Sequence, residues 1–142
     1  MVILNDTGEG VCMDQRIFKM VQIWNMTVID WMGYTVSQEN YFTYHHMNKH
    51  SKGGRNVINN GAVLTHYPHQ YLHTIECYEP IIYREINDIL LQINFQRIMP
   101  TKAQLLRIHE WLLLFETQYQ HQLSGHGKPL IKKEYLKRLT LQ

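Results

Sequence analysis

From Met13 to Met32 the apolar residues Ile17, Met20, Val21, Trp24, Val28, Trp31 and Met32 return at three- and four-residue steps. That spacing is one stripe of an amphipathic helix. It predicts a core-facing helix over about 13–32, with Asp14 in its first turn, where negative charge suits the helix dipole, and Gly33 as its stop. The pattern then changes. Residues 41–47, rich in β-branched and aromatic side chains, predict a strand, and Gly53-Gly54 among polar and basic neighbours predicts a loop. A second short strand is expected from Gly61 to Leu64, and Pro68 falls in the first turn of a short helix running to about Cys77. Pro80 opens another helix, whose apolar face is Ile82, Ile86, Ile89, Leu90 and Ile93. A third long segment, 101–123, is apolar around much of its circumference and is expected to be well buried. Residues 124–129 read as a glycine-punctuated loop, and the tail LIKKEYLKRL as a basic amphipathic helix.

These elements make a single α+β domain over 1–142, mostly helical: an N-terminal helix, a β–β–α centre over about 41–77, and C-terminal helices over about 80–140. With 142 residues, 44% apolar and 18% charged, the chain suits one hydrophobic core and does not read as disordered. The net charge of +2 permits a polyanionic partner without demanding one. Cys12 and Cys77 form no CxxC pair, so a zinc ribbon lacks its ligands and a reducing compartment is the simplest expectation. No signal-peptide pattern opens the sequence, and the apolar run at 111–115 is far too short to span a bilayer. A soluble, cytoplasmic protein without a membrane partner is expected.

Histidine changes the picture. Six of the nine histidines, His45, His46, His50, His66, His69 and His73, fall between residues 45 and 73. His69 and His73 are spaced i, i+4, which puts two imidazoles on one face of the expected short helix, where they can grip a single divalent ion. Adjacent residues of a strand point to opposite faces, so His45 and His46 cannot ordinarily serve one metal together. Lys49, Lys52 and Arg55 lie in the loop between the strands and could hold phosphates.

The stretch YHHMNKHSKGGRNVINNGAVLTHYPHQYLH resembles the HNH, or ββα-metal, endonuclease family. The features that carry the resemblance are the His45-His46 pair, the Lys52-Gly53-Gly54 loop, Asn60, His69 nine positions later and His73 four beyond it. It covers about 30 residues of 142, and the flanking helices are no part of it. The resemblance implies that His45, His69 and His73 bind the metal and that His46 is the general base. An imidazole suits a base working near neutral pH. Asn60 would fix the hairpin and so orient His46; physics alone does not exclude Asn59, and the family spacing favours Asn60. Many family members carry CxxC pairs around the motif. Here Thr65 and Pro68 stand at the two positions between the Asn and the His, so packing must replace a zinc ribbon.

The expected activity is hydrolysis of phosphodiester bonds, in DNA more than RNA, by a phage- or mobile-element-type nuclease acting in the cytoplasm, that of a phage-infected host included. One divalent ion is implied: zinc, nickel, manganese or magnesium, an imidazole shell suiting the softer ones. Double-strand cutting from one site per chain calls for a homodimer or a partner protein. Two alternatives are a non-catalytic DNA- or protein-binding module with a structural metal, and a helical assembly protein whose histidines cluster incidentally. His50 and His66 flank the site, His109 reads as a satisfied core histidine, and Glu76, Glu79, Glu85 and Asp88 read as solvated helix faces.

Overall fold

The computed structural model describes residues 2–4, 10–12, 14–48 and 58–123. Lys49, Lys52, Arg55 and the basic tail lie outside the described residues. The order of elements is β1 (Val2–Leu4), β2 (Gly10–Cys12), α1 (Gln15–Ile23), β3 (Phe42–His46), a 3-10 turn at Ile58–Asn60, β4 (Gly61–Thr65), α2 (His66–Tyr78), α3 (Pro80–Gln96) and α4 (Lys102–Leu123). The fold is α+β, as expected. Among the described residues no helix is long and apolar enough to cross a membrane.

The N-terminal hairpin pairs Val2 with Cys12 and Leu4 with Gly10, antiparallel. The apolar pattern did not predict it. The first helix is also shorter than its stripe suggests, 15–23 rather than 13–32. Asp14 is the N-cap, its carboxylate accepting from Arg16 N at 2.8 Å. The stop is Asn25, which sits in the left-handed region at φ 53°. Met26 N donates to Val21 O at 2.9 Å and Asn25 N to Gln22 O at 3.2 Å, the paired bonds of a Schellman ending. Trp24 is buried as the helix's C-cap residue, whereas Trp31 and Met32 are buried from the irregular segment beyond it, and Val28 is exposed. Gly33, at φ 87°, closes a turn within that segment instead of ending a helix.

Asp30 organises the segment. Its Oδ1 accepts from Met32 N at 2.8 Å and Tyr34 N at 3.0 Å; its Oδ2 accepts from Thr65 N and Thr65 Oγ1, both at 2.7 Å. Trp31 N donates to Val63 O at 3.1 Å, so residues 30 and 31 lie along the outer edge of β4. Complete burial raises the Asp30 carboxyl above its ordinary range, and the four donors oppose that shift.

Strands β3 and β4 pair antiparallel, with Thr43 opposite Leu64, His45 opposite Ala62 and His46 opposite Gly61. Every residue of β4 is buried, because α-helical packing and residues 30–31 close around it. Two asparagines of α3 hold the hairpin. Asn87 Nδ2 donates to Met47 O at 3.0 Å, just past β3, and Asn94 Nδ2 donates to Ile58 O at 2.8 Å and Gly61 O at 2.7 Å, at the entry to β4. The core runs from Met20 and Trp24 through Leu64, Leu72 and Ile75 to Leu90, Ile108 and Phe115. Trp24 and Trp31 pack with ring centroids 4.8 Å apart, and Trp24 Nε1 donates to Ile93 O at 3.0 Å. His109 is the buried core histidine expected, its Nε2 2.7 Å from Met32 O. Helix α4 buries a stripe through Ile108, Leu112 and Phe115 and leaves Leu114 exposed, so it is less enclosed than its composition suggests.

Candidate metal centre

The site forms where β3 meets the first turns of α2. Strand alternation turns Thr43 and His45 toward the helices and puts Tyr44 and His46 on the other face. Helix α2 begins immediately after β4, so the i, i+4 pair His69 and His73 sits one to two turns from the hairpin. His45, His69 and His73 each offer a ligand nitrogen, and these atoms lie within 4.8 Å of one another. The His45 ring meets the other two edge-on, 5.2 Å from His69 and 5.8 Å from His73 between centroids, while His69 and His73 are tilted at 36° to each other.

Each ring has its second nitrogen next to a polar group. His45 Nε2 lies 2.9 Å from Asn87 Oδ1, and His45 Nδ1 is buried with no hydrogen-bond partner. The Thr43 hydroxyl donates its only hydrogen to Leu64 O at 2.8 Å. Thr43 Oγ1 therefore accepts from His69 Nδ1, also at 2.8 Å, which leaves a lone pair on His69 Nε2. His73 Nε2 stands 3.1 Å from that atom, and His73 Nδ1 is 3.5 Å from Glu76 Oε1. With its proton on Nε2, His73 donates to His69. With its proton on Nδ1, the tautomer Glu76 favours, two lone pairs face each other, an arrangement that a cation between them stabilises.

This donor set fits a metal. Tetrahedral coordination with bonds of about 2.0–2.1 Å puts neighbouring ligand nitrogens about 3.3 Å apart. The His69–His73 separation of 3.1 Å already matches, and His73, half-exposed, is the ring with room to close on His45. Burial pushes the His45 imidazole down to about 4, against the opposing bond to Asn87. Burial, then the neighbouring histidines, pushes His69 down to about 3. Both rings are neutral at neutral pH, the state a metal requires. Three imidazoles therefore lie close enough to hold one metal ion.

His46 is half-buried, with Tyr44 edge-on at 4.8 Å, and within electrostatic reach of His45 and His69. Asn60 is buried, and its amide brackets one residue: Oδ1 accepts from Asn48 N at 2.9 Å and Nδ2 donates to Asn48 O at 3.0 Å. Asn59 is exposed and accepts from Arg97 instead. Of the two asparagines, Asn60 thus fixes the chain just beyond His46. His66 stacks on Tyr41 at 4.9 Å and is not one of the three clustered histidines, though its charge acts on His69. Glu76, read from sequence as solvated, borders His73. Sequence reasoning missed Thr43 and Asn87. Thr43 lies two residues before His45 on the same strand face, a relation strand periodicity could have supplied. Asn87 sits 42 residues from His45 in sequence, outside the motif; its signal is a polar residue, with Asn94, on the stripe of α3 that should be apolar.

No protein-family model, no curated protein and no solved structure matches the chain.

Proposed function

We propose that this chain is a metal-dependent endonuclease of the HNH, ββα-metal type, hydrolysing phosphodiester bonds in DNA. The observation that carries the reading is three imidazoles at the junction of a strand pair and a helix, each able to offer one ligand nitrogen within 4.8 Å of the others, with lone pairs kept at His45 Nδ1 and His69 Nε2 by their rings' other bonds. A histidine adjoins that junction in sequence and its following residues are clamped by Asn60. A bound divalent ion supplies Lewis acidity to the scissile phosphate and the leaving 3′-oxygen. An all-nitrogen shell suits zinc, nickel or cobalt better than magnesium. In this reading His46 takes the proton from the attacking water, and Asn60 holds the backbone at Asn48 so that the His46 ring keeps its position. His73, at the solvent side of the cluster, leaves the approach to the site open.

One observation favours a second reading, a DNA- or protein-binding module with a structural metal: strand alternation places His46 on the opposite face of β3 from His45. Supercoiled-plasmid cleavage across magnesium, manganese, nickel and zinc, with His46→Ala alongside, separates the two. Under the nuclease reading wild type nicks the plasmid with at least one metal, and the variant, folded and still metal-loaded, loses at least about 100-fold in rate. Binding without cleavage under every metal, or equal cleavage by both proteins, leaves the binding module.

A further inference from the structure

We propose that Asn87, on a helix outside the strand–strand–helix unit, is the positioning residue that fixes which nitrogen of His45 faces the metal. The inference rests on the metal-binding reading of the cluster and deepens it. It starts from the direction of two hydrogen bonds. Met47 O can only accept, so the Asn87 atom 3.0 Å from it is the NH2 group. That leaves Oδ1, an acceptor, at 2.9 Å from His45 Nε2. The amide cannot turn over without setting oxygen against oxygen at Met47. His45 Nε2 must therefore carry the ring proton, and Nδ1 keeps its lone pair.

His45 Nδ1 is buried and without a hydrogen-bond partner, and Asn87 itself is 8% exposed. Solvent cannot easily restore the tautomer if Asn87 is lost. A histidine whose second nitrogen is held by an acceptor is oriented and made more basic toward a metal. Thr43 plays the matching part for His69 from within β3. Asn87 differs because it belongs to α3, so the packing of that helix on the hairpin decides the ligand atom.

The test reads the tautomer and the metal affinity separately. Nitrogen-15 correlation spectra of the metal-free wild-type protein should show His45 protonated at Nε2 and bare at Nδ1. The opposite tautomer overturns the inference, with no variant needed. Asn87→Leu removes the acceptor: its metal-free spectra should show the His45 proton no longer held on Nε2 alone, and zinc or cobalt affinity by titration calorimetry should fall about 10- to 100-fold. An Asn87→Leu protein that binds metal as wild type does overturns the inference. So does an Asn87→Leu protein whose His45 proton stays on Nε2 while its affinity falls, since a damaged core then explains the loss. Wild type that binds none of zinc, nickel or cobalt overturns instead the metal reading on which the inference rests, and the spectra still report the tautomer.

Discussion

His45 and His69 are held neutral by burial, and that has a sign that can be measured. In the unfolded chain each titrates near its ordinary value of 6.5, while in the fold they are lowered to about 4 and about 3. Between those values the unfolded chain binds more protons than the folded one, so stability rises with pH across that window. It is complete above about pH 6.5 and falls on acidification by about 1.4 kcal/mol per pH unit for each ring. Urea unfolding of the metal-free protein from neutral pH to about pH 5 should show a slope of this sign, to which the buried His109 also contributes, and His69→Ala should reduce it. A flat profile over that range means the two rings are charged in the folded state. A second prediction concerns Gly61, which lies opposite His46. A Cβ there would stand 2.2 Å from the Tyr44 ring, which Arg16 covers on one face at 4.0 Å and which meets the His46 ring edge-on. Gly61→Ala should cost about 1–3 kcal/mol in denaturant unfolding. An unchanged midpoint would show that Tyr44 can swing aside.

At the level of elements, the local code was legible where it is short-ranged. Pro80 opens α3 as its first residue, β3 and β4 fall within a residue of their expected bounds, and the β–β–α order emerged from the change of period. The first helix was misread because Trp31 and Met32 continue its rhythm while being buried by a different route. What ends the helix is one backbone conformation at Asn25, a property of that residue and its neighbours' hydrogen bonds and not of the apolar stripe. Asn25→Ala therefore puts a Cβ-bearing residue without a local polar side chain in the left-handed region, and should destabilise by about 1 kcal/mol in urea unfolding, whereas Asn25→Gly should cost little. Equal losses in both would place the importance of Asn25 elsewhere. The clustered histidines could be picked out because their spacing is a property of one strand and one helix. Thr43 and Asn87 were not, because a polar side chain on a strand or a buried helix face gives no hint of its partner until the packing is known.

Over the whole molecule the three clustered imidazoles come from β3 and α2, with α3 behind them, so a metal bound there would be coupled to folding. A metal at about 100 times its dissociation constant adds about 2.7 kcal/mol to the folded state, on the order of 10 °C in melting temperature. That rise should appear in wild type on adding zinc or nickel and vanish in the His69→Ala, His73→Ala double variant; the same rise in both would place the metal at other residues. Asp30 acts on the same scale. Asparagine there must turn an NH2 group either toward Met32 N and Tyr34 N or toward Thr65, whose hydroxyl can turn to accept while its N–H cannot, so at least one backbone donor faces a donor, at a cost of about 1–3 kcal/mol. The consequence reaches beyond the single chain. A strand pair has two open flanks, and bare N–H and C=O groups on such a flank are a template for pairing with another molecule. Residues 30 and 31 occupy that position along β4, taking up Val63 O and Thr65 N. Asp30→Asn should loosen that cover, and light scattering of the variant should then rise with concentration beyond anything wild type forms; scattering equal to wild type would show that the flank stays closed.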